Sequence, residues 1–205
     1  MDGQDYLNQI SASARPMKQK SQASLLNSPI FKVAVIGVIA FVVIVVIGMT
    51  LTAGRKSVES EAVALKYHLD NTATVISTYQ PSVKSSTLRS DSASLYSVIT
   101  NTSRELTTYL TNKYNYKDGN NSYKNEASEA ELNRDKLESD LMNAKINGIL
   151  DQVYMSKIAY EISALASEEA AIYNSASDET LQSLLQTSYS SLETLLPYFS
   201  DTARD

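Results

Sequence analysis

One unbroken apolar run constrains this chain more than anything else in it. Residues 33–54, VAVIGVIAFVVIVVIGMTLTAG, are 22 residues without a charge, with Lys32 before them and Arg55-Lys56 after. A helix rises about 1.5 Å per residue, so the run would reach about 33 Å, enough to cross a hydrocarbon core of about 30 Å. We read residues 30–54 as a transmembrane helix that separates a polar tail, residues 1–29, from a domain over residues 55–199. The run is longer than the roughly 7–15-residue core of a secretory signal peptide and starts late. An uncleaved signal anchor is therefore expected, although Thr52-Ala53-Gly54 offers the small residues a cleavage site needs. A pilin-type anchor would begin with a glycine and then a glutamate; Ile30, Phe31, Lys32 and Val33 provide neither.

The tail holds Pro16 and Pro29 and keeps no hydrophobic period, which predicts a disordered spacer. Its one apolar group, Tyr6, Leu7 and Ile10, is where a docking partner would bind. Arg15, Lys18, Lys20 and Lys32 precede the run, while Arg55, Lys56 and Lys66 follow it. That bias places the N-terminus in the cytoplasm and the C-terminal domain outside, as a single-pass protein of the cell membrane. The lipid bilayer is thus the first expected partner, through residues 30–54.

Past the anchor the chain reads as helices. Val58, Ala62, Leu65, Leu69, Thr72, Ile76 and Tyr79 alternate steps of four and three, a stripe along one helical face. No proline lies between residue 33 and Gln80, so the first helix, over 55–80, is expected to continue the membrane helix directly. Pro81 ends it. A second helix over 82–115 carries Leu88, Leu95, Ile99, Thr102, Leu106 and Tyr109 on one face, then gives way to the turn sequence YKDGNNS. A charged third helix, over 124–146, stops at Asn147-Gly148. The fourth, over 149–174, is the most apolar; Ile149, Leu150, Val153, Tyr154, Ile158, Ile162, Leu165, Ala166 and Ile172 predict the central helix. Ser177 would cap the fifth, over 178–196, which buries Leu181, Leu184, Leu185, Leu192, Leu195 and Leu196 and stops at Pro197; residues 200–205 would fray. The fold class is all-α: one transmembrane helix followed by an antiparallel four- to five-helix bundle of up-and-down type.

Composition narrows the chemistry. A net charge of −5 leaves no basic stripe for a nucleic acid. Cysteine is absent, which removes thiol catalysis, thiolate metal sites and disulfides. The single histidine, His68, sits at the edge of the first helical stripe, and no Glu-x-x-His pair accompanies it. Glu161 and Glu168 share a helical face and Glu169 adjoins them; a solvated edge is the expectation, a divalent-cation site the alternative. Asp118 lies in a plain turn, since the spacing of a calcium loop is missing. No nucleophile elbow or phosphate loop occurs. We expect no catalytic residues, no metal and no cofactor. Asn101-Thr102-Ser103 and Asn120-Asn121-Ser122 match the glycosylation pattern. Tyr109, Tyr114, Tyr116 and Tyr123 gather around the second loop, at one end of the bundle; they either cap that end or form an interaction surface, since tyrosine with Asn and Ser suits adaptable recognition.

Two stretches carry a resemblance. LMNAKINGILDQVYMSKIAYEISALASEEAAIYNSASDETLQSLL places Gly148, Leu150, Asp151 and Tyr154 ahead of a buried helix, and Asp178 with Leu181 at the opening of the next. ESEAVALKYHLDNTATVISTYQPSVKSSTLRSD supplies the first helix and its turn. Together they resemble a family of ferritin-like helical bundles of bacterial extracytoplasmic proteins, a domain of unknown function, over about residues 57–197. The resemblance implies a ferritin-like bundle. That family often has histidines on these helices, and this chain lacks them at the matching places.

The function expected is therefore structural or protein-binding, without catalysis, with a protein partner and with homo-oligomers compatible. A sensory ectodomain that signals through a separate membrane partner is the alternative, and a ferritin-like metal protein the third class.

Overall fold

The structure is a computed structural model and describes residues 57–200. The expected tail, the apolar segment 30–54 and the C-terminal residues 201–205 lie outside the described residues. Among the described residues no helix is long and apolar enough to cross a membrane. They form five α-helices: α1 (Val58–Tyr79), α2 (Ser86–Tyr114), α3 (Lys124–Ile146), α4 (Leu150–Ser175) and α5 (Glu179–Ser200). Short 3₁₀ turns, Gln80–Ser82 and Asn121–Tyr123, precede α2 and α3.

Helix α1 has an N-terminus of its own. Ser57 is extended (φ −68°, ψ 152°), and its hydroxyl accepts the backbone N–H of Ser60 at 3.2 Å. A hydroxyl at this place satisfies one of the donors that a helix start leaves open, and Glu59 and Glu61 add negative charge where the helix dipole favours it. The expected single helix running through from the apolar segment is therefore interrupted at Ser57. The stripe itself is as read: Ala62, Leu65, Leu69, Thr72, Ile76 and Tyr79 are buried, with Val58 half-buried against them.

Cross-links between helices fix the packing. Ser103 on α2 donates to Asp70 on α1. Thr102 on α2 donates to Ser188 on α5 at 2.9 Å, and Ser188 donates to Glu169 on α4 at 2.6 Å. His68 on α1 meets Glu161 and Glu168 on α4. Helices α1, α2, α5 and α4 thus contact one another in a closed ring, each antiparallel to its neighbours. Helix α3 stands outside, against α1 and α4 only. Ser60 donates to Glu126 at 2.5 Å and Tyr79 to the Glu138 carbonyl at 2.9 Å, which hold α3 parallel to α1, and Lys157 on α4 reaches Asp140 at 2.5 Å.

This arrangement corrects the expectation that α4 is central. Ten residues of α1 are buried against seven of α4. Helix α1 has the ring on one side and α3 on the other, whereas α4 leaves Ile149 exposed at its start and Val153 and Ala166 only half-covered. Each fully buried Leu or Ile of the ring contributes about 1.5–3 kcal/mol.

The breaks follow local chemistry. Helix α2 starts at Ser86, later than expected, because Pro81 forces a 3₁₀ turn and Asp151 then captures the N–H groups of Lys84 and Ser85 at 2.9 and 2.8 Å. It ends on Asn115 in the left-handed region (φ 55°). Helix α3 matches its expected bounds. At its end the Gly148 N–H reaches the Lys145 carbonyl and the Ile149 N–H reaches the Ala144 carbonyl, the paired bonds of a Schellman motif. Asp178, not Ser177, caps α5, accepting the N–H groups of Thr180 and Leu181. Pro197 does not stop α5, which runs on to Ser200. Pro197 falls in the last turn, where its missing N–H forgoes only the bond back to the Glu193 carbonyl, and the continued helix buries Phe199. Leu184, Leu195 and Leu196 are half-buried rather than core.

Gly148 has φ +74° and nothing within 4 Å of where a Cβ would stand, so Gly148→Ala meets only backbone strain. Urea unfolding followed by circular dichroism should show a loss of about 1–2 kcal/mol; no loss would mean that the turn does not need the left-handed conformation.

Candidate functional site

Two clusters of ionisable groups lie on α1 and another lies between α2, α4 and α5, and the ring decides what each can do. Glu161 and Glu168 lie seven residues apart on α4 and face α1, where His68 stands between them. Its Nδ1 is 2.9 Å from Glu168 Oε1 and its Nε2 is 2.8 Å from Glu161 Oε2. An ionised carboxylate only accepts, so both ring nitrogens donate and the ring is an imidazolium. Burial works against the charge, but the two carboxylates outweigh it and raise the His68 pKa from 6.5 to about 10. Neither nitrogen retains a lone pair for a proton or a metal. The sequence shows the shared face of the glutamates, but not that His68, about a hundred residues away along the chain, completes them.

Glu169, the next residue, has the opposite fate. It turns about 100° round the helix and is fully buried. Desolvation lifts its pKa from 4.5 to about 8, even though the Ser188 hydroxyl bonds to Oε1. Oε2 is buried without a hydrogen-bond partner. At neutral pH the carboxyl is held uncharged where α2, α4 and α5 meet.

The third group lies at the end where α1 begins. Lys66, buried, reaches Asp70 at 2.9 Å and Asp118 at 2.5 Å, and stands 4.8 Å from the Tyr67 ring centre and 5.7 Å from that of Tyr116. Burial opposes its charge, yet the two aspartates raise its pKa. Asp118 resists desolvation in the same way, held below the usual carboxylate range by Lys66 and Tyr116. Tyr116 donates to Asp118 at 2.5 Å. The turn containing Gly119 (φ +75°) is thus closed by a lysine rather than built for calcium.

Of the four tyrosines singled out from the sequence, Tyr109 and Tyr116 are buried, and Tyr114 and Tyr123 pack half-buried on the core. Tyr109 meets Tyr114 edge-on at 6.1 Å, and Tyr116 meets Tyr123 at 5.4 Å. Tyr123 donates to Glu59 in the first turn of α1. The rings therefore cover the bundle at the end where the chain enters it.

Two clefts open among the described residues. One of about 600 Å³ lies at the opposite end, between the start of α2 and the α3–α4 turn, with Lys84, Lys145, Asp151 and Tyr198 on its walls. The other, about 920 Å³, is the open groove between α2 and α5 around Arg104 and Lys113. Among the described residues no group of three or more His, Cys, Asp or Glu is placed to hold a metal ion. Gly148, Asp151 and Asp178, positions that carry the family resemblance, serve the α3–α4 turn, the α2 start and the α5 cap; Leu150, Tyr154 and Leu181 are core. The class defined so far is a closed four-helix ring with a fifth, external helix. Comparison with protein-family models, with curated proteins and with solved structures gave no match.

Both raised pKa values make folding take up protons. The His68 contribution is complete below pH 6.5 and is lost as pH rises through about 10; the neutral Glu169 carboxyl costs stability progressively from pH 4.5 to about 8. Stability should fall by at most about 1.4 kcal/mol per pH unit for each proton, most steeply between pH 6.5 and 8, where the two windows overlap. Melting temperatures taken from pH 5 to pH 9 should decline, and Glu169→Gln should flatten the lower part of that decline. A flat profile for the parent protein would show that neither group is perturbed as described.

Proposed function

We propose that this chain is a membrane-anchored extracytoplasmic helical bundle with a structural or protein-interaction role and no catalytic function. One observation carries the reading: among the described residues, the histidine and the most enclosed ionisable groups are spent on holding elements of the bundle together. His68 is engaged through both nitrogens, Lys66 is shared by two aspartates, and Glu169 is sealed under Ser188. The apolar residues 33–54 supply the anchor.

A ferritin-like label for the bundle is supported by its connectivity. Two antiparallel hairpins, α1–α2 and α4–α5, are joined by a crossover that traverses the length of the bundle, here as α3. The sensory alternative asks for a rigid helix from membrane to bundle, and the cap at Ser57 breaks that continuity; the interaction reading therefore comes first.

The absence of cysteine makes the test direct. Ser122→Cys, at an exposed position between α2 and α3, should be labelled by a membrane-impermeant maleimide on intact cells, in a chain that stays with the membrane through carbonate washing. Release by carbonate, or labelling only after permeabilisation, would overturn the reading.

A further inference from the structure

Helix α3 lies outside the ring, and its outer face carries a pattern that its inner face does not need. The inner face buries Leu137, Leu141 and Ala144. On the outer face, Ser128, Leu132, Ser139, Met142 and Ile146 are all exposed and fall on one heptad stripe. Leu132 and Ile146 are 71% and 75% exposed and Met142 48%, on a helix otherwise made of polar and charged residues. Asn125 and Asp135 occupy the two remaining positions of the stripe.

We propose that this stripe pairs with the same stripe on a second copy of the chain, the two α3 helices running parallel. The flanking charges select the partner and its direction. In a parallel pair, a residue just before one stripe position faces the residue five further on in the other helix. Glu131 then faces Lys136 of the other copy, twice by symmetry, and Lys124 and Glu129 stand in the same relation one heptad earlier. An antiparallel pair would keep Glu131 near Lys145 but would set Glu138 against Glu138 and Lys136 against Lys136. Asn125 would face Asn125, the kind of polar contact that fixes register in a parallel seam. The serines at 128 and 139 let the backbones approach closely.

The seam is weak by design of its residues. Asp135 faces its own copy, and Arg134, 3.1 Å away in each chain, offsets that charge only in part. Two chains held in one bilayer meet at a high effective concentration and in the same orientation, which compensates for a weak interface. This last point rests on the membrane reading; the pairing itself does not.

The test uses the full chain in native membranes. Ser139→Cys sits on the seam at an exposed position and should give a disulfide-linked dimer under mild oxidation, whereas Ser94→Cys, exposed on α2, should not. Adding Glu131→Lys to the Ser139→Cys chain should cut the dimer several-fold, and adding Lys136→Glu as well should restore it. No more dimer from Ser139→Cys than from Ser94→Cys, or a charge reversal without effect, would overturn the pairing. Cross-linking that persists in a chain released by carbonate would keep the pairing and refute the anchor; a carbonate-resistant chain that never cross-links would do the reverse.

Discussion

A single cation between two carboxylates sets the register of the ring's α1–α4 edge. The α1–α2 and α4–α5 contacts join helices that are neighbours in the chain, and Asp178, which caps α5, also reaches Lys113 on α2. The α1–α4 edge joins helices that α2 and α3 separate in sequence, and besides His68 it has the long hydrogen bond from Ser175 to Glu61 at 3.4 Å. His68 bridges this edge, with glutamates spaced one heptad apart so that both meet the same ring. Such a pair costs desolvation on forming, and its net gain over an apolar contact is small; Glu168 is 43% exposed, so solvent screens its half of the pair. Its value lies in register: a shift of α4 by one turn would leave an imidazolium facing one carboxylate or none.

The second polar seam, Thr102–Ser188–Glu169, does the same for α2, α5 and α4. Its hydroxyls hand one hydrogen bond to the next across three helices, and only one alignment lets the last reach the buried carboxyl. Two such seams, one on each side of α4, make the helix order specific where leucine packing alone would tolerate sliding.

Much of the bundle was legible because its helices are amphipathic and their ends are marked. The four-three steps of α1 gave its buried face, and Asn147-Gly148 gave the end of α3, where a left-handed residue is required. What stayed hidden depends on contacts between distant residues. Glu168 and Glu169 are the same residue type side by side, yet one holds a histidine and the other is sealed; only the placement of α1 and α5 separates them. Asp178 took the cap from Ser177 because it also meets Lys113 across the bundle. Proline at position 197 looked like a stop because the sequence does not show Phe199 reaching the core. The tyrosines stayed open between a cap and an interaction surface because nothing local says that Glu59 and Lys66 of α1 arrive at the same end.

Helix α1 is at once the entry point of the chain and its most enclosed element. Tension applied through Ser57 runs along the α1 axis, so its contacts with α2, α3 and α4 are loaded in shear and must yield together. Helix α3, with three buried residues, would peel under a far smaller sideways load. The bundle is therefore mechanically anisotropic, stiff along the α1 axis and compliant on the flank where α3 lies.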